Sequence, residues 1–289
     1  MLALKYLVKR NILLYLRNKS TVFFSLLSMI IIIGLFALFM GDVHVDSLAA
    51  DYDDREIAKW LINSWIMGGI IAVNAVNITM VLLINMVEDK DSKRIKDFLV
   101  APLKKWQIIG GYFIASIIVG IIMSILSFII SQLYIVINGG EFLNLVNTIK
   151  ILIGILFSVF SIASFFLFAL LFVNSEKTAS TITTVVGTLI GFIAGVYVPI
   201  GAMPEFIQKS MRLLPINHLT TMFKQIFVEK PSNLLIQNPE ELLEFNKFLG
   251  NVVYINDTKI TYNMTLIILG ISSIFFFICA LIKIKIDNK

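Results

Sequence analysis

The chain has 289 residues, 58% hydrophobic and only 15% charged, with a formal net charge of +5. A soluble globule of this length needs many more polar residues to cover its surface, so the composition excludes one. The basic residues cluster beside the ends of apolar runs, where they set topology and meet anionic headgroups, which argues against a nucleic-acid partner.

Six apolar segments free of interior Asp, Glu, Lys, Arg or His follow one another at 20–40, 61–87, 106–137, 151–173, 179–200 and 260–282. Each is long enough for a bilayer core, which takes about 20 helical residues. The pattern predicts an all-α membrane protein of six transmembrane helices, with residues 1–289 forming one transmembrane domain. Ahead of the first span, Leu4, Leu7 and Val8 interleave with Lys5, Lys9 and Arg10 at helical spacing. That spacing predicts an amphipathic helix over 1–19 lying on the membrane surface against lipid, or a plain basic flank. The first apolar run exceeds a signal-peptide core and should be kept as an anchor.

Lys and Arg concentrate in alternate loops: Lys5 to Lys19, Lys90 to Lys105, Lys177, and Lys283 to Lys289. The first intervening loop holds Arg55 and Lys59 against six acidic residues between Asp42 and Glu56. Both termini are therefore expected in the cytoplasm.

The second span places Asn63, Asn74, Asn77 and Asn85 within an arc of about 80°. The third does the same with Ser116, Ser124, Ser127 and Ser131. Such uncharged stripes make either a translocation path, with Asn74, Asn77, Asn85, Ser124, Ser127 and Ser131 as its lining, or a helix–helix seam. Between these spans runs Glu88 to Trp106, acidic first and basic after, which suits a helix dipole. Ile95, Phe98 and Leu99 sit at i, i+3 and i+4, and Pro102 ends the piece. A short helix with one apolar face outside the bilayer points to a separate cytoplasmic protein.

Asn174 to Thr178 is a second contact or a tight turn. The fifth span carries Gly187, Gly191 and Gly195 at four-residue spacing, which permits close helix packing. Beyond it, Pro199, Pro204 and Pro215 punctuate the short apolar pieces 205–214 and 219–228. Val252–Ile255 and Thr258–Tyr262 suggest a small hairpin. Cys279 is the single cysteine and has no intrachain partner.

The Glu88 loop resembles the signature of type 2 ABC-transporter permeases, a Glu opening a loop toward a Leu-Leu-Val-Ser-Pro-Leu-like run. Glu88, Phe98, Leu99, Val100, Pro102 and Leu103 fall on matching positions. Gly195 to Ile200, Met203-Pro204, Leu214-Pro215 and His218 are similar to a second family series. Lys93-Arg94 stands where many members have Gly-Thr. The resemblance implies a cytoplasmic coupling helix seated in an ABC ATPase subunit. Ile95, Phe98 and Leu99 would fill its groove, Glu88, Asp91 and Pro102 would orient or end the helix, and Glu176 would supply a second contact. It also implies outer re-entrant helices forming a gate at Pro199, Pro204 and Pro215, and a second permease subunit, either a copy of this chain or a sister.

No Gly-x-x-x-x-Gly-Lys-[Ser/Thr] phosphate loop occurs, so ATP and Mg would be bound by the partner ATPase, with no cofactor in this chain. Ion relays are usually built from intramembrane Asp, Glu or His, which the spans lack. All six prolines lie at or beyond span ends, so broken helices are not expected. No His-Glu-x-x-His, carboxylate pair or cysteine nucleophile marks an enzyme, and His44 and His218 are too far apart in sequence to read as a metal site. The reading is a bacterial plasma-membrane exporter permease for an amphiphilic or apolar cargo: a drug, peptide or lipid-like molecule, with glycans also open. The rivals are a non-transporting scaffold or immunity protein, and a passive channel or carrier.

Overall fold

Leu7, Asn11 and Tyr15 recur every fourth residue and form the buried face of α1 (Leu2–Arg17). Asn18 breaks the chain there. Its Oδ1 accepts from the Thr21 amide at 3.1 Å and starts α2 (Lys19–Leu35). The two axes differ by 70°, and a 2.7 Å hydrogen bond between the Tyr15 and Ser25 hydroxyls spans the bend. The computed structural model describes residues 2–36, 41–95, 98, 103–255 and 258–286. Helix α3 (Gly41–Tyr52) follows and packs on α4 (Arg55–Asp91), which Asp54 caps by accepting from the Ile57 amide at 3.0 Å.

The centre of the molecule is α4. Its 37 residues include no proline, and 83% of its most apolar stretch is buried. A helix apolar on all sides must be surrounded. The surrounding helices are α5 (Lys105–Ile137), α6 (Leu145–Leu170), α7 (Glu176–Ile193) and, further along, α9 (Pro215–Leu235). Helix α8 (Glu205–Arg212) precedes α9, and α10 (Pro239–Phe248) follows it. The last helix, α11 (Tyr262–Ile286), lies on α6 and leaves most of its apolar surface bare, with only 22% of its core stretch buried. Two ends result. The loop end holds the α4–α5 and α6–α7 connections and the end of α11. The cap end holds residues 194–261.

Among the described residues four helices are long and apolar enough to cross a membrane: α4, α5, α6 and α11. The bent α1–α2 pair makes a fifth if it counts as one span. The six-span expectation is not confirmed at two places. Helix α2 is described over 17 residues and α7 over 18, about 26 and 27 Å, against a core of about 30 Å. The segment expected at 179–200 ends early because its helix stops at Ala194, where Gly195 takes φ +58°. Helix α7 is also rich in Thr, which lowers its hydropathy.

Two further differences lie at the cap. The piece expected over 219–228 is part of the 21-residue α9, which runs through Pro231 in its last turns. The hairpin forms with Tyr254 opposite Lys259 and Ile255 opposite Thr258. The tip of that hairpin, residues 256–257, lies outside the described residues, as do 37–40 of the first expected span.

Candidate functional site

The loop end is organised around one carboxylate. Asp89, in the last turn of α4, is 3% exposed. Its Oδ2 accepts from the Tyr112 hydroxyl of α5 at 2.5 Å and pairs with Arg10 Nη2 of α1 at 2.8 Å. Arg94 reaches its Oδ1 at 3.3 Å. A buried carboxylate is tolerated only when its lone pairs are met in this way, and charge-assisted bonds are the strong ones. The Arg10 guanidinium also lies over the Phe98 ring, 5.0 Å from its centre. Phe98 thus packs back on α1 and the core rather than standing free.

A second tie joins the two loops. Asp91 Oδ2 accepts from the Glu176 amide at 2.9 Å, meeting one of the amides that the start of α7 leaves unpaired. A carboxylate there also suits the helix dipole. Asp91 and Glu176 are therefore brought together. Glu88 lies half-buried one turn earlier, and its carbonyl accepts from both the amide and the hydroxyl of Ser92. Ile95 lines a small groove with Met86, Ile108, Leu170 and Ile284. Leu99 and Pro102 lie outside the described residues.

The two polar stripes part company. Asn74 donates to Ser127 Oγ, which in turn donates to the Met123 carbonyl at 2.9 Å. Ser124 and Ser131 of α5 are fully buried. Asn77 and Asn85 are half-buried, and Asn77 lines an open crevice with Phe24 of α2 and Thr183 and Gly187 of α7. Gly187 has no neighbour within 4 Å of where a Cβ would stand. Gly191 is covered by the Tyr197 ring, and Gly195 by Ile200 and the Lys224 amine.

At the cap end the three prolines each start a helical piece. Pro199 precedes the turn Ile200–Ala202, Pro204 precedes α8, and Pro215 is the first residue of α9. Beneath them lies Lys224 of α9, with no exposed surface. Its Nζ donates to the Gly195 carbonyl at 2.8 Å and sits 4.4 Å from the Trp65 ring centre. Burial pushes the amine well below its ordinary value. Trp65 Nε1 donates to the Leu249 carbonyl at 2.9 Å, and Thr221 donates to Gly250 at 3.1 Å. The cap is thus pinned to α4.

Residues 42–282 match the sequence profile of the ABC-2 family transporter proteins. The chain belongs to that family. It is the multi-pass membrane component of an ABC transporter, and such a permease works with an ABC ATPase subunit. None of the curated proteins matches it.

Three residues that organise this ABC-2 permease escaped sequence reasoning. Asp89 was hidden among the charges of its loop. Yet it continues the buried face of Ile78, Leu82 and Met86 at helical spacing, and that face marked it as interior. Tyr112 carried no signal beyond being a polar aromatic within a span. Lys224 is a lone cation flanked by Leu219, Met222, Phe223, Ile226 and Phe227, and only its apolar surroundings could have exposed it. Among the described residues no three His, Cys, Asp or Glu side chains gather as metal ligands.

Proposed function

We propose that the chain is the permease subunit of an ATP-driven exporter in the plasma membrane, with both termini cytoplasmic. ATP and Mg are bound by the separate ATPase, which seats on the Glu88–Leu103 loop and on Glu176. The observation that carries this reading is the Asp91–Glu176 bond, taken with the Asp89 cluster. Through them one platform holds α1, α4, α5 and α7, so a push on either loop reaches four helices at once.

A second permease subunit completes the pathway. The outward face of α7 supports this, because Val185, Leu189 and Phe192 are all exposed and the Gly187 crevice opens beside them. Rocking of two such bundles would open the seam between them. A crevice lined by Asn77, Phe24 and Met80 without charges favours an amphiphilic or apolar cargo, a drug, peptide or lipid-like molecule.

The test is co-purification from the native host in mild detergent. The unaltered chain should carry a stoichiometric ATPase. Phe98→Asp and Glu88→Lys should lose it, or lose cargo-stimulated ATP hydrolysis, while inserting normally. An unaltered chain that purifies alone, or variants that bind and hydrolyse as before, would sink the reading.

A further inference from the structure

The cap end carries a basic cup that the coupling and pathway readings leave unused. It is a cavity of about 480 Å³ between two walls. One wall is the α8–α9 turn, with Gln208, Arg212 and Asn217, and the other is the end of α10, with Lys247 and Phe248. Ile200 and Val253 supply apolar lining. The size falls within the usual range for small-molecule pockets, about 300–1,000 Å³.

Charge and unmet bonding both point to a ligand. No acidic residue lines the cup, and among the described residues neither Arg212 nor Lys247 is in an ion pair, the Lys247 amine lying 5.0 Å from the centre of the Tyr254 ring, which also lines the cup. The acid nearest Arg212 in sequence, Glu205, is engaged by Lys209 at 2.8 Å and also lies within electrostatic reach of Arg212, and Glu244 precedes Lys247 by three residues without lining the cup. Asn217 is 1% exposed, and its Oδ1 has no hydrogen-bond partner. A buried amide left unmet costs about 1–3 kcal/mol, so something is expected to meet it. The amide's oxygen and nitrogen are interchangeable by a flip, so Asn217 offers either a donor or an acceptor.

The walls are also held in place before any ligand arrives. His218 Nε2 donates to the Arg212 carbonyl at 2.8 Å and fixes the turn that bears Arg212. Asn251 donates from its side chain to Asn246 Oδ1 at 3.0 Å, and the Trp65 and Thr221 bonds hold the next two carbonyls beyond Phe248. Preorganised donors lower the ordering cost of binding.

We infer that this cup binds the anionic head of an amphiphile. A phosphate or carboxylate would lie between Arg212 and Lys247, hydrogen-bonded by Asn217, with apolar carbons against Ile200, Phe248 and Val253. Arg and Lys are the residues that hold such oxyanions, and Arg does so in a fork. A membrane lipid and a free solute share this head-group chemistry.

The test uses the full chain in nanodiscs of neutral phosphatidylcholine, titrated with dodecyl phosphate by calorimetry. The unaltered chain should bind, and the Arg212→Gln/Lys247→Gln double variant should bind at least tenfold more weakly. Both side chains are exposed, so the variant should fold, and an unchanged thermal midpoint would verify it. Competition by inorganic phosphate would assign the cup to free anions. Competition by phosphatidylglycerol alone would assign it to a lipid. Equal affinity in both proteins, or no binding by the unaltered chain at millimolar dodecyl phosphate, would overturn the proposal.

Discussion

A lysine without solvent contact sets a conflict that titration should reveal. Lys224 loses hydration, and its amine is depressed below the 10.5 of a free lysine by that burial. Between its folded value and 10.5 the unfolded chain binds the proton that the folded chain has released, so this group's contribution to stability rises with pH across that window. Lys224→Met removes the titration but leaves the Gly195 carbonyl without its donor, which costs about 1–3 kcal/mol. At the low end of that window the cost of desolvating the amine opposes that loss, so the variant should melt closer to the unaltered protein there. Raising the pH should then separate them, the unaltered chain becoming the more stable until the gap levels off near 10.5. Thermal melts of both proteins in detergent across pH 7 to 11 would measure it. A gap that stays flat would mean that the amine is not desolvated in the fold.

At the level of elements, glycines show which helix faces are committed. A Cβ on Gly68 of α4 would stand 2.9 Å from Lys224 Cα and 3.0 Å from its amide nitrogen, both backbone atoms of α9 that cannot step aside. Gly68→Ala should therefore destabilise the chain by about 1–3 kcal/mol through overpacking, despite its better helix propensity. Gly187→Ala meets nothing and should hold or raise stability by up to about 1 kcal/mol. Melting the two variants side by side checks the contrast, and equal effects would mean that α4 and α9 do not pack as described. The same contrast explains how much was legible in advance. Spans α4, α5, α6 and α11 announce themselves because an uncharged apolar run has one use. Helix α9 does not, since Lys224, Pro231 and Glu229 give it the composition of a loop although its interior face is as buried as that of a span. Of the loop residues that the sequence singles out, Asp91 and Glu176 are bonded to each other. The hub beside them was not legible, because Asp89 draws its role from Arg10 and Tyr112, 79 and 23 positions away in the chain.

For the whole molecule, the main link is α4, which is tied at both ends. Asp89 and Asp91 fasten its loop end to α1, α5 and α7, and Trp65 fastens its cap end to the carbonyl of Leu249 and to Lys224. The two fastenings lie about 36 Å apart on an unbroken helix. Such a shaft carries displacement from the loop end to the cap only if the cap is bonded to it. Trp65→Phe keeps an aromatic ring in place and deletes the indole donor, which costs about 1 kcal/mol locally. Amides of α10 should then exchange with solvent about fivefold faster, because local opening there becomes easier by that amount. The ATPase should still bind, since the loop end is untouched, while nucleotide-dependent changes in α10 exchange should shrink or vanish. Hydrogen exchange on the permease–ATPase complex, with and without a non-hydrolysable ATP analogue, reads both effects at once. An α10 that exchanges and responds as before would show that the motion reaches the cap by another helix, with α6 the next candidate because it also packs on α9 and α11.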